Sequence, residues 1–212
     1  MLFRSVRAEA LVRQVGDFAR FLEVISFSHG SQLNLASLAR EAEIPRKRAE
    51  SYLDIFDDLL LGYRLPVFQR RAQRQLVQHP KFYVFDAGVF RSLRPRGPLD
   101  APEEIDGPAL EGLVAQHLRA LCQLRSGGAN LHFWRTRAGL EVDFVLYGPE
   151  LFLAIEVKRA SRVHHRDLTA LKAFGQDYPE AQLLLLSFHP EPFLIDGIRC
   201  EPLEPWLRQL RP

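Results

Sequence analysis

Three charged side chains interrupt two apolar segments in the stretch Leu140–Lys158, LEVDFVLYGPELFLAIEVK. Side chains alternate between the two faces of a β-strand, so Asp143 lies opposite the apolar face of its segment, and Glu156 and Lys158 share one face of the next. The turn YGPE can close the segments into an antiparallel hairpin, which puts Asp143 opposite or diagonal to Glu156. We therefore expect two acids and one amine to meet on one face of a sheet.

This cluster suits metal-assisted cleavage of phosphodiesters. Two neighbouring carboxylates repel each other and favour a shared hard cation, Mg²⁺ or Mn²⁺, which takes oxygen ligands and retains water. The cation polarises the phosphate and lowers the pKa of a bound water, while Lys158 can orient that water or stabilise developing charge. A structural ion-pair network without catalysis remains the alternative, because a Glu beside a Lys on a half-exposed strand is commonly a solvated pair.

The elements around the cluster predict an α/β domain with a mixed sheet over residues 107–212. An amphipathic helix, PALEGLVAQHLRALCQLR, precedes the strands. A helix near Arg166–Tyr178, a strand AQLLLLSF and a short helix around Pro202–Leu210 follow them. Helix, strands, helix and strand in this order are typical of an α/β sandwich.

The first half of the chain predicts a winged helix-turn-helix over residues 1–92. Helical spacing of apolar residues indicates a long helix over Ala8–Phe27 and two shorter ones, LNLASLAREAEI with Asn34 as its N-cap and PRKRAESYLDIFDDLLL with Pro45 in its first turn. Two strand-like runs, Tyr63–Phe68 and Lys81–Phe85, flank an arginine-rich segment that resembles a wing. A proline-rich stretch then predicts a linker over residues 93–106.

Nine basic residues are predicted to contact nucleic acid. Basic residues at the start of a recognition helix and along a wing are what groove insertion and phosphate contact require. Two of the nine stand just before the acidic strand, where they could clamp a phosphate or pair with Glu141 or Asp143. The nine residues are Arg46, Lys47, Arg48, Arg64, Arg70, Arg71, Arg74, Arg135 and Arg137.

A protein-docking role for the first half remains an equal alternative. The predicted recognition helix also carries four acids that would face or flank a nucleic-acid backbone, and winged helices also serve as docking modules. The four acids are Glu50, Asp54, Asp57 and Asp58.

The pattern of an Asp followed by Glu-x-Lys on the next strand resembles the PD-(D/E)XK nuclease superfamily. That resemblance implies a strand-paired active site and an acidic residue from the preceding helix, and Glu111 in ALEGLV matches this position. It therefore implies that Glu111, Asp143 and Glu156 hold a metal and that Lys158 acts on the attacking water. Retention of the fold without catalysis is common in such families.

Nearly the whole chain resembles the C-terminal region of a prokaryotic family of AAA-type P-loop ATPases, a region of unknown function. The resemblance implies a winged helix followed by a nuclease-like domain. The matching stretches include the residues from ALVRQVGDF to GYRLPVF, HPKFYVFDAGVFR, LEGLVAQHLRAL, FWRTRAGLEVDFVL and IEVKRA.

The chain departs from that family in lacking the G-x-x-x-x-G-K-[ST] loop that cradles phosphates. We therefore expect no ATP site and no ATP hydrolysis from this chain, and a shortened homologue or a fragment of a longer ATPase would account for the pattern. A separate ATPase chain is a partner that the pattern leaves open.

Composition favours a cytoplasmic protein with no membrane partner. The formal charge of +2 and a pI of about 8.7 make no global basic field, so evidence for nucleic acid must be local. Cys122 and Cys200 are too few for a disulfide framework or a zinc cluster. The first residues lack the apolar run of a signal peptide, and charges interrupt every apolar run before membrane-spanning length.

Together these observations predict a DNA-interacting protein with a winged helix and a nuclease-like domain, with Mg²⁺-dependent phosphodiester cleavage as its chemistry. Two alternatives remain open. One is a non-catalytic regulatory or protein-interaction module derived from an ATPase family protein. The other is a winged-helix transcription regulator whose second domain mediates assembly.

Overall fold

The structure is a computed structural model that describes residues 15–210. The beginning of the helix predicted over Ala8–Phe27 lies outside these residues. The chain forms two compact units. The first runs to Arg64 and resumes over His79–Gly112, and the second comprises Leu65–Gln78 and the chain from Leu113 onward. Seven α-helices and two sheets in the described residues make the fold a mixture of α and β structure.

Four helices and a three-stranded sheet make up most of the described part of the first unit. The strand order is β1-β3-β2, so the strand nearest the C-terminus lies in the middle. The elements are α1 (Val15–Ser26), β1 (Ser31–Gln32), α2 (Leu35–Glu41), α3 (Arg46–Asp58), β2 (Gly62–Leu65), β3 (Lys81–Val84) and α4 (Ala87–Leu93).

Local sequence signals explain where these helices begin. The Asn34 side chain accepts hydrogen bonds from the backbone N–H groups of Ala36 and Ser37, both at 3.1 Å, so the predicted N-cap is confirmed. Pro45 occupies the cap position of α3, whose first helical residue is Arg46. The apolar faces of α1 and α3 meet where the rings of Phe21 and Tyr52 pack edge to face, with centroids 5.4 Å apart.

A long helix, α5 (Pro102–Leu124), begins inside the predicted linker. Pro102 fits the first helical position, where its missing N–H costs no hydrogen bond, and Glu103 and Glu104 complement the helix dipole in the first turn. Pro108, which the sequence predicts as the start of this helix, lies within it. The proline-rich composition therefore indicated a helix N-terminus rather than a linker in this part of the chain.

The second unit is built on a six-stranded sheet with the order β4-β5-β6-β7-β9-β8. The β6–β7 and β7–β9 pairs are parallel and the other pairs are antiparallel, which confirms the predicted mixed sheet. The elements after α5 are β4 (Asn130–Arg135), β5 (Glu141–Gly148), β6 (Leu151–Lys158), a 3₁₀ turn (His165–Leu168), α6 (Thr169–Asp177), β7 (Gln182–Ser187), β8 (Phe193–Ile195), β9 (Ile198–Pro202) and α7 (Leu203–Gln209).

The segment Leu65–Gln78, predicted to form the wing, runs beside β4 in the second unit. The backbone of Phe68 donates to the Phe133 carbonyl at 2.7 Å, and the Phe133 N–H donates back to Pro66 at 3.0 Å. The Phe68 ring is almost fully buried in the second core. Burial of this large apolar ring stabilises the packing of the segment within the second unit.

No helix among residues 15–210 combines the length and the apolar character that a membrane crossing requires.

Candidate functional site

The hairpin of β5 and β6 positions the acid and amine cluster at its open end. Phe144 pairs with Ile155 and Gly148 with Leu151, which gives the register that the sequence left undetermined. Asp143 and Glu156 lie one step beyond the Phe144–Ile155 pair, on the two neighbouring strands. The sheet thus brings both acids to the same end of the hairpin.

Asp143 is held at this end by the backbone of the partner strand. Its Oδ2 accepts a hydrogen bond of 2.8 Å from the Val157 N–H. A carboxylate that accepts a backbone N–H in this way is fixed in position before any ligand arrives. The contact also places Asp143 beside the strand that carries Glu156 and Lys158.

Glu156 and Lys158 form an ion pair in which the acid is buried and the amine is partly exposed. Lys158 Nζ lies 2.6 Å from Glu156 Oε1, and the exposed fractions of the side chains are 36% for Lys158 and 7% for Glu156. The acid is thus enclosed by the sheet, while the amine reaches solvent.

Lys158 remains charged at neutral pH. Burial alone would lower its pKa, but the hydrogen bond with Glu156 and the negative charges around the amine raise the pKa above its ordinary value. These charges belong to Glu156, Asp143 and Asp167. An ammonium group with a raised pKa stabilises negative charge and is a poor general base.

Two further polar residues near the cluster were missed by sequence reasoning. Asp167 lies in the 3₁₀ turn, where its Oδ2 accepts from the His164 N–H at 2.8 Å. Ser187 is buried on β7 directly opposite Lys158, and its hydroxyl accepts from the His189 N–H at 3.2 Å. The capping spacing of Asp167 after His164 was a usable signal for the first residue. Ser187 ends an apolar strand, and only the sheet order brings it to Lys158.

Glu111 lies in the first unit and has its own partners there. Its Oε1 accepts hydrogen bonds from Lys81 Nζ, at 2.8 Å, and from the Tyr83 hydroxyl. The exposed fraction of the Lys81 side chain is 1% and that of Glu111 is 19%. The structure thus groups Glu111 with Lys81 and Tyr83, and its role as a metal ligand stays a prediction.

The donor set at the hairpin suits a hydrated cation rather than a protein cage. Within residues 15–210, no group of three or more His, Cys, Asp or Glu side chains is arranged to hold a metal. Asp143 and Glu156 supply two carboxylates, so water or phosphate oxygens would complete the shell of a Mg²⁺ or Mn²⁺ ion. Mg²⁺ is commonly bound through one or two carboxylates, with water and substrate phosphates as the other ligands.

Acidic neighbours already engage several residues predicted to contact nucleic acid. In the first unit, Arg46 pairs with Glu50, Arg48 with Asp17 and Arg64 with Asp57; in the second, Arg74 pairs with Asp177 and Arg135 with Glu141.

The other four predicted contacts have different surroundings. Arg137 lies 3.5 Å from the Gln75 side chain, and the Arg70 guanidinium lies over the Tyr147 ring. Lys47 and Arg71 make no ion pair with any of the residues that the structure describes. The arginines of Leu65–Gln78, predicted to lie on a wing, belong to the second unit, and their contact with nucleic acid stays a prediction.

Comparison with known proteins identifies two domains of unknown function. Residues 106–205 match a domain of unknown function (DUF4143) that is known from AAA-ATPase-associated proteins, and residues 1–100 match a second domain of unknown function (DUF8612). No curated protein and no solved structure matches the chain. The match over residues 106–205 supports the predicted resemblance to AAA-ATPase-associated proteins in that part of the chain, and the winged helix and nuclease-like assignments stay predictions.

Proposed function

We propose that the protein interacts with DNA and that its second unit cleaves phosphodiester bonds with the help of a divalent cation. The observation that carries the proposal is the cluster of Asp143, Glu156 and Lys158 at one end of the β5–β6 hairpin. Two acids and a charged amine on adjacent strands are a suitable arrangement for a negatively charged phosphate and a cation.

Each residue of the cluster has a distinct role in this proposal. Asp143 and Glu156 hold Mg²⁺ or Mn²⁺, which supplies a Lewis acid and a bound water of lowered pKa. The backbone hydrogen bond of Asp143 orients its carboxylate, and the sheet encloses Glu156. Lys158 remains an ammonium group, so it orients the phosphate and stabilises the charge that develops on its oxygens.

For DNA contact, the proposal rests on the helices of the first unit and on the start of α3. Lys47 lies in the first turn of α3 and makes no ion pair with the described residues, so its charge is available to a phosphate. Arg46 is exposed, and its one ion pair among residues 15–210 is with Glu50, an acid on the same helix. Such exposed pairs are weak, and a phosphate can compete for the arginine.

Cleavage is tested with the full chain on linear, branched and single-stranded DNA in Mg²⁺, Mn²⁺ or chelator. We expect metal-dependent cleavage that falls by about 100-fold or more in Asp143→Asn, which weakens the hold on the cation, and in Lys158→Met, which removes a positive charge at the reacting phosphate. Glu204→Gln, which removes an exposed acid on α7, is the matched control and keeps full activity.

A second readout separates the site from the choice of substrate. Calorimetric titration with Mn²⁺ should show binding that is lost in Asp143→Asn and retained in Glu204→Gln. Cleavage that persists in Asp143→Asn, or the absence of both Mn²⁺ binding and cleavage on all three substrates, would refute the enzymatic proposal.

A non-catalytic interaction module is the second candidate function. It is favoured by the five arginines that already pair with acids, because a surface with balanced charge suits a protein partner better than a polyanion. Gel shifts at several salt concentrations distinguish the two. A salt dependence that weakens in Lys47→Ala supports DNA contact, whereas an unchanged slope supports the interaction module.

A further inference from the structure

A cavity in the second unit is lined by four aromatic rings and two arginines that the cleavage proposal does not use. Its volume is about 710 Å³, within the usual range for sites that hold small molecules. The rings belong to Phe68, Tyr147, Phe152 and Tyr178. Asp143, Glu156 and Lys158 do not line this cavity, so it is distinct from the proposed cleavage site.

The rings form one connected aromatic wall. The centroid of Phe68 lies 5.3 Å from that of Tyr147, 5.5 Å from that of Phe152 and 5.3 Å from that of Tyr178. Tyr147 and Phe152 pack edge to face at 5.2 Å. Such a wall offers both ring faces and ring edges to a flat aromatic ligand.

The arginines give this wall a positive rim. The guanidinium of Arg70 lies over the Tyr147 ring, 4.7 Å from the ring centroid. In this arrangement the N–H groups at the edge of the guanidinium can still donate to an anion. Arg71 is exposed, lines the same cavity, and makes no ion pair with the residues that the structure describes. Its backbone adopts a left-handed conformation with a φ of 49°, which is unusual for a side chain of this size and is found at functional positions more often than elsewhere.

The acids of the cavity do not cancel this positive charge. Both carboxylate oxygens of Asp177 share a bifurcated hydrogen bond from the single Arg74 Nε–H, at 3.0 and 2.9 Å, so this carboxylate is neutralised locally. Glu180 is the other acid of the lining, and it is exposed. Two available arginines against one exposed acid favour an anionic ligand over a cationic one.

Tyr178 contributes its ring rather than its hydroxyl to the cavity. The side chain is 5% exposed, and its hydroxyl is buried without a hydrogen-bond partner among the residues that the structure describes. A ligand in the cavity would therefore contact the ring of this tyrosine.

We propose that this cavity binds a nucleoside phosphate, with the base packed between the rings of Tyr147 and Phe152, its face against one ring and its edge against the other, and with the phosphate held by Arg70 and Arg71. A base supplies a flat ring with polar edges, and its phosphate supplies the anion. The same chemistry occurs in a free nucleotide and in a nucleotide of a single strand. Both sources use base stacking and phosphate contact without base-specific readout.

The test measures binding to the full chain in chelator, which prevents cleavage. The probes are a fluorescently labelled deoxythymidine hexamer, a hexamer of the same length without bases, and free thymidine monophosphate. We expect Tyr147→Leu to weaken binding about tenfold and Tyr147→Phe to stay near the wild type, because stacking needs the ring and not the hydroxyl. Arg71→Ala should weaken binding about fivefold and reduce the salt slope of the hexamer by about 0.7.

The control variant is Arg208→Ala, which removes an exposed arginine on α7 and should leave every affinity unchanged. Arg71 is exposed, so its variant tests the site even if Tyr147→Leu fails to fold. Competition by the free nucleotide identifies a nucleotide site, and binding of the hexamer alone identifies a strand site. Equal binding of the base-free hexamer, wild-type affinity in both variants, or no binding of any probe would overturn the proposal.

Discussion

In each unit, the described residues include a glutamate paired with a lysine, and the two pairs are buried in opposite ways. In the first unit the lysine is enclosed, since 1% of the Lys81 side chain is exposed, and Glu111 also accepts from Tyr83. In the second unit the acid is enclosed and the lysine is not, since the exposed fractions are 7% for Glu156 and 36% for Lys158. Both pairs have nitrogen–oxygen distances below 3 Å.

The difference shows that the same two residue types can support different roles. A buried ammonium depends on its carboxylate, because no water can replace the lost contact. A half-exposed ammonium can turn to solvent or to a bound phosphate. We therefore infer that the Lys81–Glu111 pair stabilises the fold and that the Lys158–Glu156 pair serves a ligand. The first and the last of the following four predictions test this contrast directly.

The largest effect is expected for Glu111→Gln in the first unit. The variant removes the carboxylate from a buried ammonium and should lower the free energy of unfolding by about 3 kcal/mol, measured by urea denaturation. Combining it with Lys81→Met should recover part of the loss, because the buried charge is then gone as well. A cost no larger than that of Glu156→Gln would abolish the contrast.

The second prediction uses pH and the histidine packed in the same unit. His29 Nδ1 accepts from the Val84 N–H, its Nε2 bonds the Pro108 carbonyl, and burial lowers its pKa to about 4 despite that carbonyl. The unfolded chain takes up a proton near pH 6.5 and the folded chain does not. Stability is therefore complete above pH 6.5 and should fall as the pH drops to about 4, by on the order of 3 kcal/mol.

The pH prediction is checked by measuring unfolding free energies between pH 4 and 7 in the wild type and in His29→Gln. The variant should lose the histidine part of the slope, leaving the part due to carboxylates. His117→Gln, at an exposed histidine, is the control and should keep the wild-type slope. Identical slopes in all three proteins would show that His29 takes up its proton in the folded state.

The third prediction separates structure from charge at Asp143. Asp143→Ala leaves the Val157 N–H without its side-chain acceptor and should cost about 1 kcal/mol. Asp143→Asn keeps an oxygen at this position and should cost less, while losing the charge that a cation requires. Thermal and urea unfolding of both variants measure the difference, and an Asn variant as unstable as the Ala variant would contradict it.

The smallest effect is expected for Glu156→Gln, the counterpart of the first variant. Lys158 reaches solvent, so loss of its partner should change the free energy of unfolding by at most about 1 kcal/mol. The same urea denaturation serves for both glutamates. A loss of about 3 kcal/mol here would mark the second pair as structural and would favour the non-catalytic interaction module.

The local elements were largely predictable because their signals lie in adjacent residues. The YGPE turn and the alternation on each side predicted the β5–β6 hairpin, and Asn34 predicted the start of α2. The small hairpin of β8 and β9 was missed although its signal is present. Asp196 and Gly197 stand between two apolar runs and both have a positive φ. These are the dihedral angles of the two-residue hairpin turn that an Asp-Gly pair favours.

The arrangement of the site was less predictable because it depends on contacts that are distant in sequence. Glu111 matched a motif position, yet its partners Lys81 and Tyr83 lie on a strand about 30 residues earlier. Asp167 and Ser187 approach Lys158 through a turn and a parallel strand that no local pattern specifies. The charge of the arginines is likewise visible in the sequence, but their pairing with acids follows from packing.

The path of Leu65–Gln78 has a consequence for how the gene can recombine. The chain leaves the first unit at Arg64, contributes Phe68 and its neighbours to the second core, and returns at His79. Neither unit is therefore an uninterrupted stretch of gene. A single recombination event between residues 65 and 112 would separate core residues that belong together, so the two units are expected to pass between genomes as a pair.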